Sequence, residues 1–119
     1  MIIDVLTLFP DMIESALSYS IPARAQKAGR VEIRAHQLRT WAIDRHGTVD
    51  DTPYGGGPGM ILRVDVAHAA LAALDHNRRA HRVMLSPDGE LFNQEMVENF
   101  AAKSRLILLC GRYEGFDKR

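Results

Sequence analysis

The chain has 119 residues, of which 46% are hydrophobic, so it has the size and composition of one domain with a modest core. Its 15 Lys and Arg residues balance its 15 Asp and Glu residues, which argues against a protein held on nucleic acid by bulk charge. No apolar run approaches the ~20 residues of a membrane span, and Asp4 interrupts the first apolar stretch, so we expect a soluble cytoplasmic protein. Cys110 is the single cysteine, and the sequence predicts neither an internal disulfide nor a metal site.

The first third of the chain predicts a strand, two short helices and a second strand. Residues 2–8 form a nearly continuous apolar run, which is typical of a strand buried on both faces of a parallel sheet. Pro10 suits the first turn of a helix, and a second helix is expected from Ser20, with Gly29 suited to its end. Residues 30–36 alternate between polar and apolar, which predicts a half-exposed strand.

The remainder predicts further alternation of helices and strands after a segment, 39–59, that has no regular periodicity and is therefore expected to be functional. The later elements are a helix at 64–74, a strand at 82–85, a turn at 86–89, a helix capped by Asn93 and a strand at 106–110. Such alternation predicts an α/β fold with a parallel sheet flanked by helices.

Two loops follow predicted strands, 85–89 and 111–115, where parallel sheets bind ligands. Gly111 and Gly115 would let the backbone approach a ligand, while Tyr113 offers a flat apolar face and Glu114 an acceptor. This composition suits a purine-bearing, positively charged small molecule. An ordinary strand-to-helix turn with a surface Tyr and Glu fits the spacing equally well, and neither loop matches a dinucleotide or P-loop fingerprint.

A third candidate loop runs from 44 to 59 and has four glycines within five residues. Ordering so much glycine is costly, which favours close passage of the backbone past a ligand or partner over a purely structural role. A flexible linker is the alternative, although Tyr54 and two prolines make it stiffer than a linker needs. His46, between carboxylates, is either a general base, a metal ligand or an exposed hydrogen-bonding group.

Charge is unevenly distributed along the chain. The stretch from Arg24 to Arg45 contains six basic and two acidic residues. Its net charge is therefore +4, and that of the rest of the chain is −4. Together with His36 and Trp41, this stretch has the composition of a surface that contacts phosphates and stacks a base. The alternatives are solvated faces of a helix and strand, and a Trp41 that packs on the core.

The chain resembles the N-terminal part of the bacterial tRNA (guanine-N1)-methyltransferases that modify guanosine 37. The resemblance extends over all 119 residues and rests on several motifs in the family's order. These are Leu8-Phe9-Pro10, Asp44-Arg45-His46 with Thr48-Val49-Asp50-Asp51, Pro53-Tyr54-Gly55-Gly56-Gly57-Pro58-Gly59-Met60, Leu85-Ser86-Pro87, and Cys110-Gly111-Arg112-Tyr113-Glu114-Gly115 with Asp117 and Arg119.

The resemblance implies a trefoil-knotted α/β fold of the SPOUT class, S-adenosylmethionine as methyl donor, and a homodimer with active sites between subunits. It implies that Leu85, Ser86, Pro87, Gly111, Tyr113, Glu114 and Gly115 bind the cofactor. It also implies RNA contacts by Arg45, His46, Asp50, Tyr54, Pro58 and Gly59.

The family's third knot loop, its proposed Asp base and its C-terminal RNA-binding domain are expected beyond Arg119. Residues 1–119 are therefore interpreted as the N-terminal portion of the methyltransferase domain, with an incomplete knot and with Glu114 as a weak candidate base. N1 of guanine carries a proton at neutral pH, so methyl transfer needs a carboxylate to remove it. We expect this portion alone to be inactive.

Two other interpretations remain open. One is a non-catalytic module that binds cofactor or RNA, or that only dimerises. The other is an unrelated nucleotide-binding α/β protein. If the chain stops after its last strand, apolar surface is left uncovered, which predicts self-association or partial disorder.

Overall fold

The computed structural model describes residues 1–42, 50–51, 61–87 and 89–111, with backbone alone at 50–51 and 61–62. In chain order the strands are β1 (Ile2–Thr7), β2 (Glu32–Gln37), β3 (Asp50–Asp51), β4 (Ile61–Leu62), β5 (His81–Met84) and β6 (Arg105–Leu109). The helices are α1 (Pro10–Ala16), α2 (Ser20–Lys27), α3 (Val64–Leu74) and α4 (Gln94–Ala101), with a 3-10 helix at Leu38–Trp41. The predicted strands of the main sheet are confirmed to within two residues at each end.

The main sheet is parallel throughout, with the order β2-β1-β6-β5. Helix α3 packs on one face, where Val66 and Ala70 meet Leu6 and Ile107 in the core. Helices α1 and α2 lie on the other face, where they border a pocket over β2. The ring of Phe100 places α4 on that second face, 5.2 Å from His81 of β5. The predicted parallel α/β sheet flanked by helices is confirmed.

The helix ends follow from local sequence. Pro10 occupies the start of α1, where its missing N–H costs nothing. Gly29 follows the C-cap of α2 with φ +73°, a left-handed conformation that glycine adopts without strain. Asn93 caps α4, because its side-chain oxygen accepts a 2.9 Å hydrogen bond from the backbone N–H of Met96. All three predicted roles are confirmed.

The core lies between α3 and the central strands. Its buried members are Leu6, Leu8, Leu38, Val66, Ala67, Ala70, Ile107 and Leu109. Trp41 packs partly buried against this cluster, as the alternative interpretation of that residue predicted. On the other face of the sheet, α1, α2 and α4 contain no buried residue.

The expectation that regular structure is absent from 39 to 59 is wrong at two places. The 3-10 helix Leu38–Trp41 forms because the Gln37 side chain accepts a hydrogen bond from the Arg39 N–H while Leu38 enters the core at 1% exposure. Further on, β3 pairs antiparallel with β4, with Asp50 opposite Leu62. Neither element is long enough to produce a periodic signal in sequence.

No helix in the described ranges is both long and apolar enough to cross a membrane.

Candidate functional site

Three strands of the main sheet end side by side at its carboxyl edge. The backbone N–H of Cys110 donates to the carbonyl oxygen of Leu6 at 2.9 Å, and the N–H of Leu85 donates to that of Leu109 at 3.1 Å. These bonds extend the ladders one residue past β5 and β6. The loops that begin at Leu85 and Gly111 therefore leave the sheet as neighbours, as the sequence predicts for a ligand site.

The loop after β5 presents three predicted cofactor residues, Leu85, Ser86 and Pro87, all exposed. The predicted turn is present, since the N–H of Gly89 donates to the Ser86 carbonyl at 3.3 Å. Leu85 is 52% exposed at the end of a sheet strand. An apolar side chain in this position can cover one face of a flat ligand such as a purine.

Cys110 and Gly111 begin the second loop. Burial raises the pKa of the half-buried Cys110 thiol, so it stays protonated and is a poor nucleophile near neutral pH. Gly111 is exposed beside it. The edge is thus suited to binding through backbone groups and apolar contacts.

Most of the other predicted site residues lie outside the described residues. These are Arg45, His46, Tyr54, Pro58, Gly59, Tyr113, Glu114 and Gly115. Asp50 is described by its backbone alone, in β3. Their roles stay predictions. In the described ranges, no three His, Cys, Asp or Glu side chains cluster closely enough to hold a metal ion.

The amino half of the sheet contains an ionic cluster centred on Asp4, whose side chain is fully buried. Arg34 of β2 donates to both of its carboxylate oxygens, at 2.9 and 3.1 Å. Arg105 of β6 donates to Oδ2 at 3.0 Å, and Nε2 of His36 lies 2.7 Å from Oδ1. Because an ionised carboxylate only accepts, His36 donates through Nε2. Burial by itself raises the pKa of Asp4, but the three donors outweigh it and the net pKa is lowered.

This cluster changes the interpretation of the basic stretch from Arg24 to Arg45. Arg34 and His36 are both hydrogen-bonded to Asp4, and His36 also meets the Trp41 ring edge-on at a centroid distance of 6.4 Å. Trp41 also packs on the core. Arg34, His36 and Trp41 therefore each have a partner within the fold.

Asp75, between α3 and β5, is the second buried carboxylate. Its Oδ1 accepts from the backbone N–H groups of Arg79 and Ala80, at 2.9 and 3.1 Å, and its Oδ2 accepts from Arg82 at 3.0 Å. Burial opposes ionisation, but these donors together lower the pKa of Asp75. Arg105 also donates to the Leu74 carbonyl, which places a cation at the C-terminal end of α3.

Comparison with known proteins finds a family match that extends over the whole chain. The family model described as tRNA (Guanine-1)-methyltransferase TrmD matches residues 1–119. The chain belongs to this methyltransferase family.

Among relatives named tRNA (guanine-N(1)-)-methyltransferase, that of Chloroflexus aurantiacus is 49% identical over 118 residues, and that of Magnetococcus marinus is 48% identical over 115. The matches cover 98% and 97% of this chain but 47% and 45% of the relatives. A crystal structure of tRNA (m1G37) methyltransferase from Aquifex aeolicus superposes with a TM-score of 0.90 at 38% identity, over 100% of this chain and 54% of that one. This methyltransferase-family chain spans about half the length of the curated relatives it matches.

Sequence reasoning missed the two carboxylate clusters of this methyltransferase-family chain. In the sequence, Asp4 stands out only as an interruption of an apolar stretch, and no local pattern marks Asp75. A signal was available for Asp4, since a charged residue inside a strand buried on both faces requires a buried partner. Its partners are 30, 32 and 101 residues away in sequence, so only the strand order identifies them.

Proposed function

We propose that residues 1–119 supply the first part of a methyltransferase that uses S-adenosylmethionine to methylate N1 of guanosine 37 in tRNA. The observation that carries this proposal is the convergence of the loops starting at Leu85 and Gly111, in a chain that matches the family along its whole length. The proposed assembly is a cytoplasmic homodimer with a SPOUT-type knot. A C-terminal RNA-binding domain would lie outside the 119 residues.

The carboxyl edge has the chemistry that the proposed cofactor needs. S-adenosylmethionine would supply the methyl group from its sulfonium centre. Exposed Leu85 offers an apolar contact for the adenine ring, and the backbone of Ser86 and Pro87 is accessible next to it. Gly111 presents no side chain, which lets the second loop approach the same ligand closely.

For proton removal we propose Glu114 as a weak candidate base within residues 1–119. N1 of guanine must lose its proton as the N–C bond forms, and a carboxylate next to N1 would accept that proton. The resemblance implies an Asp base in the part of the family that follows. We therefore propose that residues 1–119 alone bind cofactor weakly and transfer no methyl group.

A chimera tests whether residues 1–119 need the second half of a family member for methyl transfer. The 119-residue chain is fused to the second half of the Aquifex aeolicus enzyme, and methyl transfer to an unmodified tRNA transcript is measured for the chimera and for the chain alone. We expect transfer by the chimera, lost in a transcript with adenosine in place of guanosine 37. Transfer by the chain alone would overturn the proposed division, and an inactive but folded chimera would count against the function.

The single cysteine gives an independent measure of cofactor binding. Cys110 immediately precedes Gly111, so a ligand at the carboxyl edge should shield it. We expect its alkylation to be slow, because burial raises the pKa of the thiol, and slower still when the chimera is saturated with S-adenosylmethionine. Equal alkylation rates with and without cofactor would place the ligand elsewhere.

A second candidate function is a module that dimerises or binds a ligand without catalysis. Exposed apolar residues on the α1–α2 face favour it, with Met12 at 64%, Tyr19 at 70% and Ile21 at 73% exposure. Light scattering of the 119-residue chain, and calorimetry with S-adenosylmethionine and tRNA, separate the two candidates. A dimer in a chimera that shows no transfer would favour the second.

A further inference from the structure

A row of exposed basic residues lies at the amino edge of the main sheet, opposite the proposed cofactor edge. We call Arg30, Arg78, Arg79 and Lys103 the amino-edge basic row. Arg30 lies just before β2, Arg78 and Arg79 before β5, and Lys103 before β6. All four are exposed, and because the strands are parallel, the connections that carry them meet at one edge.

Backbone hydrogen bonds show that these connections are neighbours. The Ile2 N–H donates to the Ser104 carbonyl, and the Glu32 N–H donates to that of Met1, both at 3.0 Å. The pairing of His81 with Leu106 brings the connection before β5 alongside the connection before β6. With neighbouring strands ~4.8 Å apart, the row extends over about 15 Å.

The charges of the row are not neutralised within the described part of the chain. The ion pairs there involve Arg34, His36, Arg63, Arg82 and Arg105, none of which belongs to the row. The two buried carboxylates nearby, Asp4 and Asp75, accept from the side chains of Arg34, Arg105 and Arg82 and, for Asp75, from backbone N–H groups, but from no side chain of the row. Glu32 is the one exposed acid in β2, so the edge has a net positive charge.

Arg78 borders a hollow beside the row. The hollow has a volume of about 120 Å³, and its other polar lining residues are His68, Asp75, His76 and Arg82. Arg78 has φ +56°, a strained conformation for arginine, and its N–H donates to the Asp75 carbonyl at 3.0 Å. Asp75 lines the hollow, but its carboxylate oxygens already accept from Arg79, Ala80 and Arg82, which offsets its charge.

We propose that the amino-edge basic row binds the phosphate backbone of tRNA, independently of sequence, in an inference that rests on the proposed function. A row of separate cations matches an extended polyanion. The connections that carry the row, 28–31, 75–80 and 102–104, contain no aromatic residue and one large aliphatic one, Val31. Aromatic anchors are enriched in protein hot spots, and apolar contacts strengthen membrane binding, so an edge with charge alone fits a polyanion better.

The contact is separated from the proposed site of methyl transfer by the length of a strand. Six residues of β1 lie between the two edges, which corresponds to about 20 Å. The row should therefore contribute to tRNA affinity, while cofactor affinity and the maximal rate of methyl transfer stay unchanged. These separate readouts distinguish a contact with tRNA from a structural role.

The test variant is the 119-residue chain with Arg78→Gly and Arg79→Gln. Glycine accepts the positive φ at 78, so the fold should be retained while two charges are lost, and urea unfolding checks this directly. Binding of an unmodified tRNA transcript is measured between ~50 and ~200 mM salt. We expect about a tenfold loss of affinity, and a salt dependence shallower by about two phosphate contacts.

The matched control is Arg24→Gln with Lys27→Gln on α2, which removes the same charge from exposed positions of the stretch first predicted to contact RNA. We expect the control to lose less affinity than the row variant. Equal losses in both variants, or an unchanged row variant, would overturn the proposal.

The chimera separates this inference from the proposed function. In an active chimera, the row variant should have a higher KM for tRNA and an unchanged kcat, and an unchanged KM would overturn the inference alone. A chimera that transfers no methyl group, but whose tRNA affinity falls in the row variant, would overturn the function and support the binding surface.

Discussion

The two ends of the parallel sheet are built from different interactions. The amino half contains two fully buried carboxylates: Asp4, held by donors from distant parts of the chain, and Asp75, held by Arg82 and backbone N–H groups nearby in sequence. At the carboxyl edge, backbone hydrogen bonds join the strand ends and Leu85 is exposed. The side-chain interactions that stabilise the fold are concentrated at the end away from the proposed cofactor.

This difference has a physical reason. A ligand edge must leave backbone groups and apolar surface uncovered, so it contributes little to stability before the ligand binds. Asp4 compensates by joining β1 to both of its neighbours, β2 and β6, through charge-assisted hydrogen bonds. The buried ion pairs and the proposed cofactor site thereby lie at opposite ends of the same strands.

The largest expected effect is that of Asp4→Ala. Loss of this carboxylate leaves Arg34, His36 and Arg105 without their shared acceptor, and breaking buried ion pairs typically costs about 3–5 kcal/mol. The side chains of the three donors are each 25% to 41% exposed and can recover some hydration, so we expect about 3 kcal/mol. The measurement is the free energy of unfolding in urea. A loss below about 1 kcal/mol would mean that the cluster does not hold the strands together.

Asp75→Asn should have a smaller, pH-dependent effect. The asparagine oxygen still accepts from the Arg79 and Ala80 N–H groups, but Arg82 loses its charged partner, at a cost of about 2 kcal/mol near neutral pH. The pKa of Asp75 is lowered in the folded state, so its ionisation stabilises the protein above the unfolded value of ~3.9. This stabilisation is lost as pH falls through the folded pKa.

The variant and the original chain should therefore converge in stability on acidification below about pH 4. Asp4, whose pKa is also lowered, should give Asp4→Ala the same convergence. A difference that stays constant down to the lowest measurable pH would show that charge is not what Asp75 contributes.

The element order and the carboxyl-edge loops were predictable from sequence, because periodicity, Pro10, Gly29 and Asn93 are local signals. The partners of Asp4 were not, since they depend on which strands become neighbours. The short pair β3 and β4 was missed because two-residue strands have no period. The roles of Arg45, His46 and Glu114 rest on resemblance, because no local pattern distinguishes a catalytic carboxylate from a surface one.

The variant Asp65→Asn tests whether the energy of an ion pair depends on its bidentate geometry or on its burial. Arg63 donates to both oxygens of Asp65, at 3.0 and 2.9 Å, much as Arg34 does to Asp4. The Asp65 side chain is 40% exposed and that of Asp4 is fully buried. We expect Asp65→Asn to cost below about 1 kcal/mol in urea unfolding. A cost equal to that of Asp4→Ala would show that bidentate geometry, rather than burial, determines the energy of these pairs.

Leu85→Ala should have the smallest effect on stability and a clear effect on binding. The side chain is 52% exposed, so its truncation should change the free energy of unfolding by about 0.5 kcal/mol or less. In the chimera, the lost apolar contact should weaken S-adenosylmethionine binding severalfold, as measured by calorimetry. Val97→Ala on α4, which truncates another exposed apolar side chain, is the control and should leave cofactor affinity unchanged. A loss of 2 kcal/mol or more from Leu85→Ala would be typical of a core residue, and the carboxyl edge would then belong to the stabilising part of the molecule.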